Sequence, residues 1–294
     1  MTCRVLLTTI PKCGKNVLVS FLSGLGLARQ QGGTDIFEAA THVQARWYLR
    51  GLPGDPAQHD PQGFLTRTAP AFERVLDGLA AMPDNAYLHG HLVFDPELHR
   101  RVREAGVSIV FLYRDPRASL ASLAHFILDK GEPASLVQRL PGRDLGTVLR
   151  FLIEGDAETP PFDDFYAPYE GWKDAEGVTV VRFEDIIGPH GGGSTGIQLA
   201  VLSSLASRIG WQGEPERLVA AIGRTFNPGA GTFRRGTIDG WRGDLRVLRG
   251  MTYWDRIRTL ARDWGYVDGM EPLPMAEGPR TPAISTAEAA LGRR

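Results

Sequence analysis

Cysteine is nearly absent: Cys3 and Cys13 are the only two among 294 residues. Two thiols near one apolar stretch suggest neither a disulfide framework nor a zinc site, and they fit a reducing compartment. No apolar run reaches the roughly 18 residues that a membrane-spanning helix needs. The apolar N-terminus is broken by Pro11, Lys12 and Lys15 before a signal-peptide core is complete, so the expectation is a soluble, cytoplasmic protein. Neither charge is in excess. Lys plus Arg number 33 against 34 Asp plus Glu, which removes any overall basic field for nucleic acid or an anionic membrane and requires any anion site to be local. The glycine-rich stretch 188–196 lacks the strand-then-GxGxxG arrangement of a dinucleotide site. With 43% hydrophobic residues, the chain still suffices for an extensive core in one large α/β domain or two small ones.

Against these absences stands the stretch Val5 to Leu27. Val5, Leu6, Leu7 and Ile10 form a short apolar run that Pro11 ends, as a strand requires. Val17, Leu18, Phe21, Leu22 and Leu25 then recur at helical spacing, with Gly24 and Gly26 as a stop, which predicts a helix from about Lys15 to about Leu25. The connecting loop carries Lys12, Gly14 and Lys15 onto a helix start. Unpaired backbone N–H groups, the positive end of the dipole and two ammonium groups then converge on one small volume suited to phosphate or sulfate. A Walker A loop fits poorly, because Asn16 stands where its magnesium-binding hydroxyl belongs and Thr9 where its first glycine belongs. A plain lysine-bearing turn remains open on these residues alone.

Three further stretches stand out. Ala86 to Leu92 is a short strand running into His89 and His91, and a histidine at a strand's carboxyl end can reach substrate and take a hydroxyl proton. Val107 to Tyr113 reads as a buried parallel strand ending at Arg114-Asp115-Pro116, with a helix carrying Ser122 behind it. An arginine fork with a serine hydroxyl suits a second phosphate. Gly231 to Arg242 is basic, contains glycine and lacks apolar periodicity, so it reads as an exposed loop where Arg234, Arg235 and Gly236 could meet a phosphate. Val178 to Phe183 reads as another buried strand. Helices are expected over 37–49, 64–79, 197–209, 214–222 and 251–266.

Taken together, these segments resemble the sulfotransferases that use 3′-phosphoadenosine-5′-phosphosulfate. Ile10 to Asn16 resembles that family's 5′-phosphosulfate loop, commonly YPKSGTTW, and Gly90-His91-Leu92 resembles its THLP or GHLP segment. Arg114, Arg117, Ser122 and Phe126 fall in register with RNPKDVxxSxxxF. Phe183-Glu184-Asp185 resembles RYEDL, and Phe233 to Arg242 resembles FRKGxxGDWK, with Asp239-Gly240 reversed. The resemblance spans about Val5 to Tyr266. It implies an α/β fold in three layers, α/β/α, with a central parallel sheet and a P-loop-like strand-loop-helix phosphate site, and a mechanism without a metal. His91 would be the base and Lys12 the charge-stabilising group. Lys12, Gly14, Lys15 and Asn16 would hold the donor's 5′-phosphosulfate, Arg114, Ser122, Arg234, Arg235 and Gly236 its 3′-phosphate, and Cys13, Val17, Phe183 and Phe233 are expected among the other residues that bind it. Val17 stands where many members have an adenine-stacking tryptophan.

The expected organisation is a single domain over 1–268 and a loose tail over 269–294. Segments 28–84 and 127–172 are expected to cover the acceptor site. Phe37, Trp47, Tyr48 and Phe64 in the first, and the aromatics from Phe162 to Trp172 in the second, suit either pocket lining or core. The acceptor is expected to be a small molecule, lipid or sugar with a free hydroxyl. A nucleotide-dependent phosphotransferase and an inactive module binding adenosine bisphosphate are the alternatives.

Overall fold

The computed structural model describes residues 3–50, 59–60, 63–131, 133–229, 234–249 and 251–267. Phe233, most of the 51–63 connection and the expected tail lie outside the described residues. In chain order the elements are β1 (Arg4–Thr9), α1 (Lys15–Gly24), β2 (Ala28–Arg29), α2 (Gly33–Leu49), α3 (Phe64–Ala80), β3 (Ala86–Gly90), α4 (Pro96–Glu104), β4 (Ser108–Tyr113), α5 (Pro116–Lys130), α6 (Ala134–Arg139), α7 (Leu145–Glu154), α8 (Phe162–Tyr166), α9 (Gly171–Asp174), β5 (Val178–Arg182), α10 (Phe183–Ile186), α11 (Thr195–Arg208), α12 (Pro215–Gly223), α13 (Trp241–Asp244) and α14 (Thr252–Asp263).

The five strands form one sheet in the order β2-β3-β1-β4-β5, and every pairing is parallel. β1 is central, with Leu7 level with His89 on one side and Val110 on the other. Because β3 and β4 flank β1 from opposite sides, the crevice of this open α/β sheet lies beyond their carboxyl ends, where Ile10, His91 and Arg114 follow. Successive side chains of β1 point to opposite faces. Leu6 joins a core with α2, α3, α4, α5, α7 and α14; Val5 and Leu7 join a second core with α1, α11 and α12. Helices on both faces make the three layers, and they explain why β1 and β4 read as continuous apolar runs. β5 is an edge strand instead. Val181 is its one fully buried residue, so the sequence reading of a buried strand there is corrected: a missing neighbour leaves one side open, and β-branched composition does not reveal it.

Two polar anchors fix the crevice. Thr8 Oγ1 donates to Leu92 O at 2.9 Å and accepts from Leu92 N at 3.1 Å, pinning the chain after β3 to β1. Asp95 caps α4 through Glu97 N and Leu98 N, and it also pairs with Arg46 at 3.2 Å and Arg50 at 2.8 Å, tying α2 to α4. The aromatics from Phe162 to Trp172 resolve as core: Phe162, Tyr166, Tyr169 and Trp172 are buried, and Tyr166 meets Trp264 edge-on at 5.1 Å.

Candidate active site

Between β1 and α1 the chain turns through two left-handed residues, Lys12 (φ 67°) and Gly14 (φ 85°). For a lysine that backbone costs on the order of 1 kcal/mol. The turn sends the Lys12 ammonium into the crevice and the next side chain into the core. At Gly14 a Cβ would lie 2.4 Å from the Phe183 ring, so both the φ and the close approach require glycine. Gly14 at the start of α1 has no side chain with which to cap it, and the first residues of the helix line the crevice. Lys12, Gly14, Lys15, Asn16 and Val17 all line it. Cys13 does not, and its assignment to the donor site is corrected. Its Sγ is buried against Ser119 Oγ at 3.3 Å and Tyr166 OH at 3.6 Å, and burial pushes the thiol up to about 11. Among the described residues neither Lys12 nor Lys15 has a carboxylate partner. Burial, then Arg234 and Lys15, pull the Lys12 ammonium down to about 8. Burial and Arg29 lower Lys15.

His91 follows β3. A carbonyl can only accept, so the 2.8 Å contact with Thr9 O places the proton on Nδ1 and leaves the Nε2 lone pair unshared. Thr9 Oγ1 lies 2.9 Å from the same nitrogen, and the Tyr169 hydroxyl donates to His91 O at 3.3 Å. Ring and backbone are therefore both held, and the residue lines the crevice. Burial first, then Lys15 and Lys12, lower His91 to about 4, so it stays neutral and able to accept a proton well below neutral pH.

The other side of the crevice is built from arginines. Arg114, directly after β4, lays its guanidinium 4.1 Å from the Phe183 ring centroid and donates from Nη2 to Thr237 O at 2.7 Å. Among the described residues its buried Nε has no hydrogen-bond partner, the kind of donor an anion would satisfy. Ala118, Ser122 and Phe126 follow at four-residue steps along one face of α5, and all three line the crevice. Arg234 and Arg235 reach Asp244 Oδ2 at 3.1 and 3.4 Å, with His125 Nε2 at 3.2 Å from the same oxygen. Arg117 does not belong to this group. It is buried on Asp115 at 2.8 Å and stacks on Trp241 at 4.5 Å.

The crevice as a whole has a volume of about 460 Å³. It brings together His91, Lys12, Gly14, Lys15, Asn16, Val17, Arg114, Ser122, Phe183, Arg234, Arg235 and Gly236. Of the aromatics weighed for a pocket in segment 28–84, Phe37 alone lines it, among the described residues. Thr237 and Trp241, from the basic stretch singled out in the sequence, also line it, as do Ile187, Thr225 and Asn227, which were missed: Thr225 and Asn227 follow a helix with no charge or motif to mark them. Among the described residues no group of three or more His, Cys, Asp or Glu is placed to hold a metal ion, and no helix is long and apolar enough to cross a membrane.

Comparison with known proteins decides the family, because the Sulfotransferase domain family matches residues 3–187. The chain belongs to that family. Among solved structures, mouse sulfotransferase SULT7A1 complexed with PAP is similar at a TM-score of 0.50 and 14% identity, over 88% of this chain and 88% of that one. Retinol dehydratase in complex with androsterone and inactive cofactor PAP gives 0.49 and 15%, over 89% and 79%. The sulfotransferase domain from the curacin biosynthetic pathway gives 0.42 and 14%, over 93% and 99%. At 14% identity the likeness to the mouse enzyme concerns the fold alone. Among curated proteins no sequence matches the chain.

Proposed function

We propose that this sulfotransferase-family protein moves a sulfuryl group from 3′-phosphoadenosine-5′-phosphosulfate to the hydroxyl of a small-molecule, lipid or sugar acceptor, working as one domain over 1–268. The observation that carries the reading is one crevice lined by two sets of cations, Lys12 and Lys15 together with His91 in the first, and Arg114, Arg234 and Arg235 in the second. Their proximity also has an electrostatic trace, since Arg234 depresses Lys12. The residues present fit a donor with two anionic ends: the start of α1 lines the crevice, and among the described residues the two ammonium groups have no carboxylate partner and the buried Arg114 Nε no hydrogen-bond partner.

In this reading the donor supplies an activated sulfur and a good leaving group. His91 Nε2 takes the proton from the acceptor hydroxyl as the new O–S bond forms, with Nδ1–H held on Thr9 O throughout. Lys12 meets the negative charge that grows on the bridging oxygen as the old S–O bond breaks. The products are a sulfate ester and adenosine 3′,5′-bisphosphate, and His91 carries the proton away. Val17, Ile187 and Phe183 offer an apolar bed for adenine in place of the missing tryptophan.

Thermal unfolding tests donor recognition. Adenosine 3′,5′-bisphosphate without metal should raise Tm, by roughly 2.7 kcal/mol of stabilisation at a hundred times its Kd, and ATP with magnesium should not. The reverse pattern would replace this reading with a phosphotransferase. Transfer of labelled sulfate from the donor to a metabolite of the source extract would separate an enzyme from an inactive binding module.

A further inference from the structure

The Lys12 ammonium is partly desolvated, follows a left-handed backbone and, among the described residues, has no carboxylate to hold it; it lies instead over an aromatic ring. Its Nζ sits 3.9 Å from the centroid of the Phe126 ring. Phe126 is half-buried on α5, one helical turn beyond Ser122, and its ring forms part of the crevice wall. We infer that Phe126 is a positioning residue for Lys12, its ring face holding the ammonium in the crevice by a cation–π contact that leaves the charge uncancelled for an incoming anion. The inference rests on the sulfuryl-transfer reading, in which Lys12 serves the donor's 5′ end.

The choice of an aromatic ring has a physical reason. A carboxylate would fix the lysine more strongly, but it would neutralise the group and repel a phosphosulfate. A ring quadrupole attracts a cation, with a strength that grows as water is removed, and carries no net charge. It also opposes the forces that discharge Lys12. Burial, Arg234 and Lys15 favour the neutral amine, and Arg114, Arg235 and His91 line the same crevice without offering it an anion. The ring of Phe126, with Lys12 Nζ over its face at 3.9 Å, would favour the charged form.

A merely space-filling phenylalanine and a cation-holding one predict different substitution patterns. Phe126→Leu keeps apolar bulk and removes the quadrupole; Phe126→Tyr keeps the quadrupole, and its added hydroxyl can point into the open crevice. The experiment measures Kd for adenosine 3′,5′-bisphosphate by calorimetry as a function of pH, together with kcat/KM for the donor, in the wild type and both variants, with Tm confirming that each is folded. In the wild type, binding weakens as pH rises through about 8, where Lys12 loses its proton. In Phe126→Leu this limb moves to lower pH by about one unit, so that affinity near pH 8 falls on the order of tenfold, whereas Phe126→Tyr retains the wild-type limb. Equal profiles in all three proteins, or equal losses in both variants, would overturn the role of the ring while leaving donor binding intact. A wild type that does not bind the bisphosphate at all would instead overturn the sulfuryl-transfer reading beneath it.

Discussion

The two cationic ends of the crevice are made in opposite ways. At the lysine end the charges come from one short stretch, the loop after β1 and the first residue of α1, have no carboxylate beside them among the described residues, and are partly desolvated. At the arginine end they come from β4 and from a loop 120 residues further on, and Arg234 and Arg235 share one nearly buried carboxylate, Asp244, whose side chain is 9% exposed. The difference follows from the side chains. An ammonium with no counter-ion keeps its charge open to an incoming anion, but burial and cationic neighbours make its proton easier to lose. A guanidinium cannot shed its proton in this way, so a counter-ion behind it fixes the fork without discharging it. In the proposed reaction the lysine end would meet charge that develops on the leaving group, and the arginine end charge that is always there.

The largest expected effect tests the lysine end. His91→Ala should lower kcat by on the order of a hundredfold or more while leaving the Kd for adenosine 3′,5′-bisphosphate nearly unchanged, because the ring faces the acceptor hydroxyl in the proposed reaction. Full turnover in this variant would remove His91 from the chemistry. The arginine end should behave in the converse way. Replacing Arg234 and Arg235 together by alanine deletes charge-assisted contacts worth about 1.5–3 kcal/mol each, so Kd for the bisphosphate should rise at least tenfold, with kcat at saturating donor changed far less. If instead kcat collapsed and Kd held, the division of labour between the two ends would be wrong.

How much of this was legible in the sequence differs between the ends for the same reason. The strand, loop and helix around Lys12 carry their signal in consecutive residues, so the turn and the α1 boundaries could be read from spacing, Pro11 and Gly14. The sequence does not reveal which way a side chain faces across a left-handed residue, and Cys13 was misassigned because the φ of Lys12 turns the thiol into the core. At the other end, Arg114 and Arg117 look equivalent three positions apart. Only the folded chain shows Arg117 buried on Asp115 and stacked on Trp241. Asp244 and His125 belong to no recognisable motif, and their meeting depends on α13 packing against α5. The aromatics from Phe162 to Trp172 were ambiguous for a similar reason, since composition reports that rings will be buried but not against what.

The smallest effect sharpens the comparison most, because it isolates how the lysine end tunes its base. Burial is the larger cause of the low His91 value, and Lys15 is the next. Lys15→Met keeps an unbranched side chain and removes the charge, so the imidazolium becomes easier to form and the His91 pKa rises from about 4 toward the ordinary histidine range, without reaching it while the burial remains. A base must be unprotonated to act, so activity in the variant is lost at a higher pH as the solution is acidified. The acid limb of kcat/KM, which reports the free enzyme, should therefore move upward. In the wild type, binding of an anionic donor offsets the repulsion from Lys15 and Lys12, so the acid limb of kcat should already lie above that of kcat/KM. Measuring both limbs in both proteins tests the coupling directly: in Lys15→Met the gap between them should narrow, and an unchanged gap would mean that Lys15 does not set the charge felt by His91.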